Sequence, residues 1–203
     1  DTAQIPEASP DGSAPLKVEV IGHQWWWEFR YPELGIVTSN ELHVPTGRTI
    51  DLRMKTSDVL HSFWIPQFAG KRDVFPNRET RIWFTARNPG AYPGACAEFC
   101  GEQHGRMLFY VMASDPAEFD AWVALRQADS NATATRPPAP PTDSLVAPVP
   151  EDELVAQGRQ LFATKACVGC HALGSVGAPT ALIGPNLSGI GTRKMIASGS
   201  VVN

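Results

Sequence analysis

The sequence predicts two unlike domains, a mainly β domain followed by a small α-helical one. Three observations predict this fold class. From Leu16 onward, short runs alternate apolar and polar residues, as in strands with one buried face. Residues 129–150 are rich in Pro, Ala and Thr and hold few side chains that could build a core. After Glu151, apolar residues recur at helical spacing.

The β domain is expected to cover residues 16–128, after a polar, Pro-containing entry segment at residues 1–15 that we expect to be flexible. Four alternating apolar sets each share one face of a strand: Leu16, Val18 and Val20; Ile50, Leu52 and Met54; Ile82 and Phe84; Leu108, Tyr110 and Met112. Gly and Pro separate these runs. Several short strands with turns between them predict a β-sandwich or barrel.

A helix is expected to close the β domain. Asp115 can cap it, Pro116 suits its first turn, and Glu118 favours its positive end. We expect three apolar side chains to pack this helix onto the domain: Phe119, Trp122 and Leu125.

The remainder of the chain divides into a linker and a helical domain. The composition of residues 129–150 is typical of an extended Pro-rich spacer that lets its neighbours move. Residues 151–203 begin with a helix whose apolar face carries Leu154, Gly158, Leu161 and Phe162.

One short stretch of the β domain combines two thiols, an imidazole and a thioether: Cys96, Cys100, His104 and Met107. Thiolates and thioethers favour Cu(I), and imidazole suits both copper oxidation states. Zinc would more plausibly use Cys and His without Met. Because the second Cys follows four residues after the first, both sulfurs can bridge two metal ions. The pattern predicts a dinuclear copper centre.

Each copper of such a centre needs a His and a further weak ligand. His61, between two strand-like segments, is the best second imidazole, and the backbone carbonyl of Glu98 can complement Met107. His43 is expected to be an ordinary strand residue, and His23 a packed or hydrogen-bonded one.

Three segments read together resemble subunit II of a haem-copper cytochrome c oxidase. They are Cys96-x-Glu-x-Cys-x-x-x-His-x-x-Met107, Asp58-Val-Leu-His-Ser-Phe-Trp-x-Pro66 and Gly22-His-Gln-Trp-Trp-Trp27. The resemblance runs from about Leu16 to Trp122. It implies a cupredoxin-like sandwich with a dinuclear copper (CuA) site between two late strands.

The same resemblance implies two further roles. Trp25 matches the residue through which electrons enter, while at least one residue of the Trp triplet belongs to a buried aromatic cluster. The carboxylate of Glu98 matches a ligand of a Mg²⁺ ion shared with subunit I.

Cys167-Val-Gly-Cys170-His171 is the attachment pattern of c-type haem, in which both thiols form thioethers and the His binds iron. A bare pattern of this kind also occurs in redox dithiols and zinc half-sites. Together with the preceding helix and Gly184-Pro-Asn-Leu187, it resembles a class I cytochrome c. The resemblance implies that the Pro185 carbonyl steadies the proximal imidazole.

Met195 is the one Met after the haem motif, and it is a less favoured candidate for the distal ligand. The family places that Met later, near a Pro and before a final helix. We therefore expect the cytochrome domain to be incomplete here and its distal ligand to lie beyond residue 203.

Charge and composition limit the kinds of partner that the chain can have and indicate where it is located. The net charge of −4 argues against nucleic-acid binding. The sequence lacks an apolar run of about 18 or more residues that could span a bilayer. Because c-type haem is attached outside the cytoplasm, we expect the outer face of the bacterial cytoplasmic membrane. Family members ordinarily carry N-terminal membrane helices, so we expect the water-soluble part of a membrane-anchored subunit.

The fused cytochrome resembles that of caa3-type oxidases. This implies electron transfer from an external donor such as cytochrome c to haem c, then to copper and subunit I, with no oxygen-reducing site on this chain. Nitrous-oxide reductase has a similar copper domain, but its catalytic cluster needs more than the five His present. A metal-free quinol oxidase subunit conflicts with the intact ligand set, and a copper carrier would gain nothing from haem.

Overall fold

Ten strands and one helix form the first domain of the computed structural model, which describes residues 4–131, 151–172, 183–187, 190–193, 195–196 and 201–202. The elements are β1 (Leu16–His23), β2 (Trp26–Tyr31), β3 (Ile36–Ser39), β4 (Glu41–Pro45), β5 (Thr49–Thr56), β6 (His61–Trp64), β7 (Arg72–Val74), β8 (Thr80–Thr85), β9 (Gly90–Cys96), β10 (Leu108–Ser114) and α1 (Pro116–Asn131). A short 3-10 helix, His104–Arg106, precedes β10.

The strands form two five-stranded sheets, ordered β3-β2-β1-β5-β8 and β4-β10-β9-β6-β7. The pairs β1–β5 and β4–β10 are parallel, and the others are antiparallel. The buried aromatic residues Trp27, Phe29, Phe63 and Phe109 contact one another between the sheets. The predicted β-sandwich is confirmed.

The alternation identifies the core face correctly in β1 and β5, where Leu16, Val18 and Leu52 are almost fully buried. In β10 the residues that face the core lie on the side of the strand opposite to the predicted set. Phe109 and Val111 are buried there, whereas Leu108 is 36% exposed. Almost every residue of β10 is apolar, so periodicity alone could not distinguish its two faces.

Helix α1 packs on the sandwich through part of the predicted set. Phe119 is buried and Trp122 is half-buried, but Leu125 is 50% exposed, so its predicted packing role is wrong. At about 3.6 residues per turn, Phe119, Trp122 and Val123 share a face and Leu125 points away from it. The helix therefore contacts the domain along a narrow stripe.

The chain divides into two units, Asp1–Gln127 with Gly189–Asn203 and Ala128–Ser188. In the second, α2 (Glu151–Thr164) precedes a 3-10 turn, Cys167–Gly169. Short strands β11 (Met195–Ile196) and β12 (Val201–Val202) pair near the end of the chain. The helices in the described parts of the chain are all too short or too polar to cross a membrane. The linker prediction falls mostly on residues 132–150, outside the described residues.

Candidate metal centre

Adjacent strands of one sheet bring the predicted copper ligands together. His61 begins β6, which pairs with β9, and Cys96 ends β9. The chain then passes through a loop and returns as β10, which pairs with β9 from Leu108 onward. Met107 directly precedes that pairing. Hydrogen-bonded strands therefore hold His61 and both ends of the Cys loop.

The sulfur of Cys96 has one imidazole and one carbonyl as neighbours. His61 Nδ1 lies 3.8 Å from Cys96 Sγ, and the carbonyl oxygen of Glu98 lies 3.2 Å from it. His61 is fully buried, and the Glu98 side chain is exposed. The backbone carbonyl of Glu98 thus faces the sulfur of Cys96, while its carboxylate faces solvent.

The sulfur of Cys100 has a second imidazole and a thioether as neighbours. His104 Nδ1 lies 3.6 Å from Cys100 Sγ, and Met107 Sδ lies 3.7 Å from it. The sulfurs of Cys96 and Cys100 are 3.8 Å apart and both residues are buried. The structure therefore brings all six predicted donors together, as two adjacent sulfurs that each have an imidazole and a weaker donor beside them.

The two thiols differ in acidity in the metal-free protein. Burial raises the pKa of Cys96, but hydrogen bonds from His61 and from backbone N–H groups outweigh it and bring the pKa to about 6. Burial and the nearby charge of Cys96 raise the pKa of Cys100 to about 12. Cys96 therefore loses its proton more readily than Cys100 does. Metal binding must displace any proton that either thiol retains, because the metal-binding form of Cys is the thiolate.

Asp58 and Gly22 arrange His61, although neither was predicted from the sequence to have a role at the site. Asp58 Oδ1 accepts a hydrogen bond from His61 Nε2 at 2.9 Å. That contact holds a hydrogen on Nε2 and directs Nδ1 to Cys96, so that Nδ1 donates to the sulfur in the metal-free protein and is the nitrogen that would bind a metal after losing its proton. A Cβ on Gly22 would lie 2.9 Å from His61 Cδ2, so the imidazole occupies space that only glycine leaves. Asp58 lies three residues before His61, a signal that could have suggested its role.

The Trp triplet separates into two environments. Trp26 and Trp27 are buried, and Trp27 lies edge-on to the His61 ring. Trp25 is half-buried in the turn between β1 and β2, where its Nε1 donates to the carbonyl of Cys100 at 3.0 Å. Gln24 Nε2 donates to the same carbonyl at 2.8 Å. Trp25 is therefore in direct contact with the Cys loop.

The other two His of the β domain lie outside the donor cluster. His43 belongs to β4, stacks on Trp122 with ring centroids 4.3 Å apart, and lies 3.3 Å from Glu41. His23 stacks on Trp26 and its Nε2 lies 2.9 Å from Glu28 Oε2. The sequence-based interpretation of both is confirmed.

The haem-attachment motif lies just after α2. Cys167 and Cys170 are partly exposed free thiols in the turn, and His171 Nδ1 donates to the Pro185 carbonyl at 2.8 Å. A Cβ on Gly184 would lie 2.5 Å from His171 Cε1, so this glycine leaves space for the ring. The backbone of Met195 lies in β11, while its side chain is outside the described residues.

Known proteins match both domains. Residues 35–114 match the family described as cytochrome c oxidase subunit II, periplasmic domain, and residues 155–201 match cytochrome c. The periplasmic domain of subunit II from Bradyrhizobium japonicum has a similar structure, with a TM-score of 0.56 and 28% identity, covering 61% of this chain and 97% of that one.

Curated relatives extend the match. Cytochrome c oxidase subunit 2 of Alkalihalophilus pseudofirmus is 34% identical over 97% of this chain and 52% of its own length. The Synechocystis protein of that name is 43% identical over 71% of this chain and 40% of its own. The chain thus spans about half the length of these relatives.

The fold and the two matched segments define a class, a cupredoxin-like domain joined to a cytochrome c domain, as in proteins that transfer electrons. Within that class, residues 35–114 belong to the family described as cytochrome c oxidase subunit II, periplasmic domain, and residues 155–201 match cytochrome c. The relatives favour this family over the nitrous-oxide reductase alternative.

Proposed function

We propose that this chain is the electron-entry part of a respiratory haem-copper oxidase, receiving electrons from cytochrome c and delivering them to subunit I. The observation that carries the proposal is the pairing of Cys96 and Cys100, each with its own imidazole and weak donor. Two thiolates this close would suit a pair of copper ions, which would supply fast one-electron chemistry. The relatives' shared name supports the same assignment.

The protein's part is to hold six donors in place before metal arrives. The imidazole of His61 and the carbonyl of Glu98 would hold one copper ion. His104 and Met107 would hold the other, and both Cys sulfurs would serve the two ions. The soft sulfur donors suit Cu(I), and the imidazoles suit both oxidation states. Burial of Cys96, Cys100 and Met107 excludes water from the sulfurs.

Trp25 is the proposed entry point for electrons. Its ring is half-buried at the surface turn, and its indole N–H bonds to the backbone of a copper-binding residue, Cys100. A donor docked over this turn would therefore contact the site through one side chain and one hydrogen bond.

The second domain is proposed to hold haem c as the immediate electron donor. Cys167 and Cys170 would form the thioethers, and His171 would bind the iron, steadied by its bond to Pro185. An external donor such as cytochrome c would reduce this haem.

The remaining partners follow from the subunit II assignment. The exposed carboxylate of Glu98 is proposed to bind Mg²⁺ at the contact with subunit I. The chain would lie on the outer face of the bacterial cytoplasmic membrane, as part of a membrane-anchored subunit. Oxygen reduction would take place in subunit I.

Stopped-flow mixing tests the proposal. The chain loaded with copper but without haem should bleach at its copper absorption bands when it is mixed with reduced cytochrome c, because cytochrome c then takes the place of the chain's own haem as the immediate donor. A chain loaded with zinc is the control and should leave the cytochrome reduced. Copper-loaded protein that leaves cytochrome c reduced would contradict the proposed function.

A further inference from the structure

Asp58 contacts two parts of the molecule that the proposed function uses separately. It lies in the loop between β5 and β6, with its side chain 30% exposed. Its Oδ2 accepts a hydrogen bond from the backbone N–H of Gln24 at 2.7 Å. Its Oδ1 lies 2.9 Å from His61 Nε2. One carboxylate therefore joins the turn that carries Trp25 to an imidazole of the metal centre.

Short-range contacts fix the position of the Asp58 carboxylate. The backbone N–H of Val59 donates to Oδ1 at 2.7 Å, and the Thr56 hydroxyl lies 3.1 Å from the same oxygen. The backbone N–H of Ser57 donates to the carbonyl of Gly22 at 3.0 Å, which ties the loop to the end of β1. The carboxylate is thus held by its own loop and by the neighbouring strand.

The turn between β1 and β2 is held on its other side by the Cys loop. Gln24 Nε2 and Trp25 Nε1 both donate to the carbonyl of Cys100. A Cβ on Gly101 would lie 3.0 Å from Trp25 Cζ2, so the indole fits closely against the loop. The turn is therefore attached to both loops that supply metal donors, once through Asp58 and once through Cys100.

We propose that Asp58 is a positioning residue that holds Trp25 and His61 in one fixed arrangement, and that electron entry depends on this arrangement. This inference rests on the proposed function. The contacts to Gln24 and His61 carry it, because they join the two functional parts through a single side chain.

The chemistry of the side chain explains why an aspartate is required. An ionised carboxylate accepts hydrogen bonds on both oxygens, and such charge-assisted bonds are roughly twice as strong as neutral ones. An Asn at this position offers only one oxygen. Its NH₂ group would face either the N–H of Gln24 or the Nε2–H of His61, and neither can accept a hydrogen bond.

Asp58→Asn separates the two contacts. We expect the amide oxygen to remain on His61, because the oxygen at that position also accepts the Val59 N–H, while the contact to Gln24 is lost. The copper spectrum and the exchangeable His61 N–H signal in proton NMR should persist. Reduction by cytochrome c should slow by about tenfold, which corresponds to a barrier higher by about 1.4 kcal/mol, because the carboxylate no longer holds the turn that carries Trp25.

Glu102→Gln is the matched control. It removes one exposed negative charge from the Cys loop, so weaker electrostatic attraction of the donor would affect both variants alike. Equal reduction rates in Asp58→Asn and Glu102→Gln would overturn the proposed positioning of Trp25.

Asp58→Ala removes both contacts. The His61 N–H signal should be lost through exchange with water, and the reduction potential of the copper centre should change, which a merely structural role would not cause. A retained N–H signal with an unchanged potential would overturn the proposed positioning of His61. A wild-type chain that binds copper but is not reduced by cytochrome c would instead contradict the proposed function, whatever the two variants show.

Discussion

At the scale of single residues, the first prediction concerns the hydrogen bond between Trp25 and the backbone of Cys100. Trp25→Phe keeps an aromatic ring and removes the indole N–H that donates to the Cys100 carbonyl. Copper should stay bound, and reduction by cytochrome c should slow. The lost hydrogen bond should lower the free energy of unfolding by only about 1 kcal/mol.

Stopped-flow reduction and thermal melting separate a role in electron entry from a role in packing. Trp83→Phe is the control, at a half-buried Trp of β8 in the sheet that carries none of the metal donors, and it should change neither rate nor copper content. Normal kinetics together with a strongly depressed melting temperature in Trp25→Phe would assign Trp25 to the core.

The second prediction concerns Gly22, which leaves space for the His61 ring. A methyl group there would displace the His61 ring, since its carbon would lie 2.9 Å from Cδ2. Overpacking of this kind costs about 1–3 kcal/mol, so Gly22→Ala should unfold at a lower denaturant concentration and bind copper more weakly. Gly70→Ala is the control, because a Cβ at Gly70 meets nothing within 4 Å. Copper titration that shows equal affinity in both variants would contradict the account.

Individual residues of the metal site also differ in whether their roles could be predicted from the sequence. Cys96, Cys100, His104 and Met107 lie within twelve residues, so their spacing alone reveals them as a donor set. The spacing of Asp58, three residues before His61, is a local signal of its contact with that ring, but the contact of Gly22 with His61 depends on how β1 and β6 are aligned across two sheets. That alignment follows from packing of the whole domain, and no local pattern in the sequence contains it.

At the scale of elements, α1 is attached to the sandwich by the stacking of Trp122 on His43. Burial lowers the pKa of His43, although Glu41 partly opposes this effect. The folded protein therefore keeps His43 neutral where the unfolded chain would take up a proton. Below the unfolded pKa of about 6.5, stability should fall with decreasing pH, by at most about 1.4 kcal/mol per pH unit, until His43 protonates in the folded state as well.

Denaturant unfolding of the copper-loaded chain from about pH 7.5 to about pH 5 measures this dependence. His43→Phe keeps a ring against Trp122 but cannot take up a proton, so it should lose this part of the pH dependence. Taking the difference between the two proteins cancels the titration of other groups. Identical pH profiles would contradict the assignment of a buried, neutral His43.

The buried face of a strand could be predicted from the sequence where its other face is polar. The alternation in β1 and β5 identified the buried residues, because charged residues such as Lys17 and Arg53 mark the other face. The apolar sequence of β10 left its two faces equivalent, and Leu125 was assigned to the packed face of α1 from its apolar character alone. In both cases the missing information was the position of a neighbouring element.

At the scale of the whole molecule, the two motifs and the change in composition were enough to predict a β-sandwich followed by a cytochrome domain. The proposed boundaries at residues 128 and 150 stay predictions, since most of the linker is outside the described residues. The distal haem ligand also stays open, because a motif of Cys and His specifies only the proximal side.

The prediction for the whole molecule concerns Met195 and the distal haem ligand. The family places the axial Met near a Pro before a final helix, whereas Met195 begins the short strand β11. We therefore expect Met195→Ala to leave the optical spectrum of the haem-loaded chain unchanged. A Met-to-iron charge-transfer band that is present in the parent chain and absent from Met195→Ala would identify Met195 as the distal ligand.

We propose that Cys96 and Cys100 hold two copper ions as one delocalised pair, and an EPR spectrum of the copper-loaded chain tests this proposal. We expect a hyperfine pattern with more lines than a single copper nucleus can give, two coppers per chain by metal analysis, and loss of that pattern in Cys100→Ser. A four-line spectrum with one copper per chain, or an unchanged multi-line spectrum in Cys100→Ser, would contradict it.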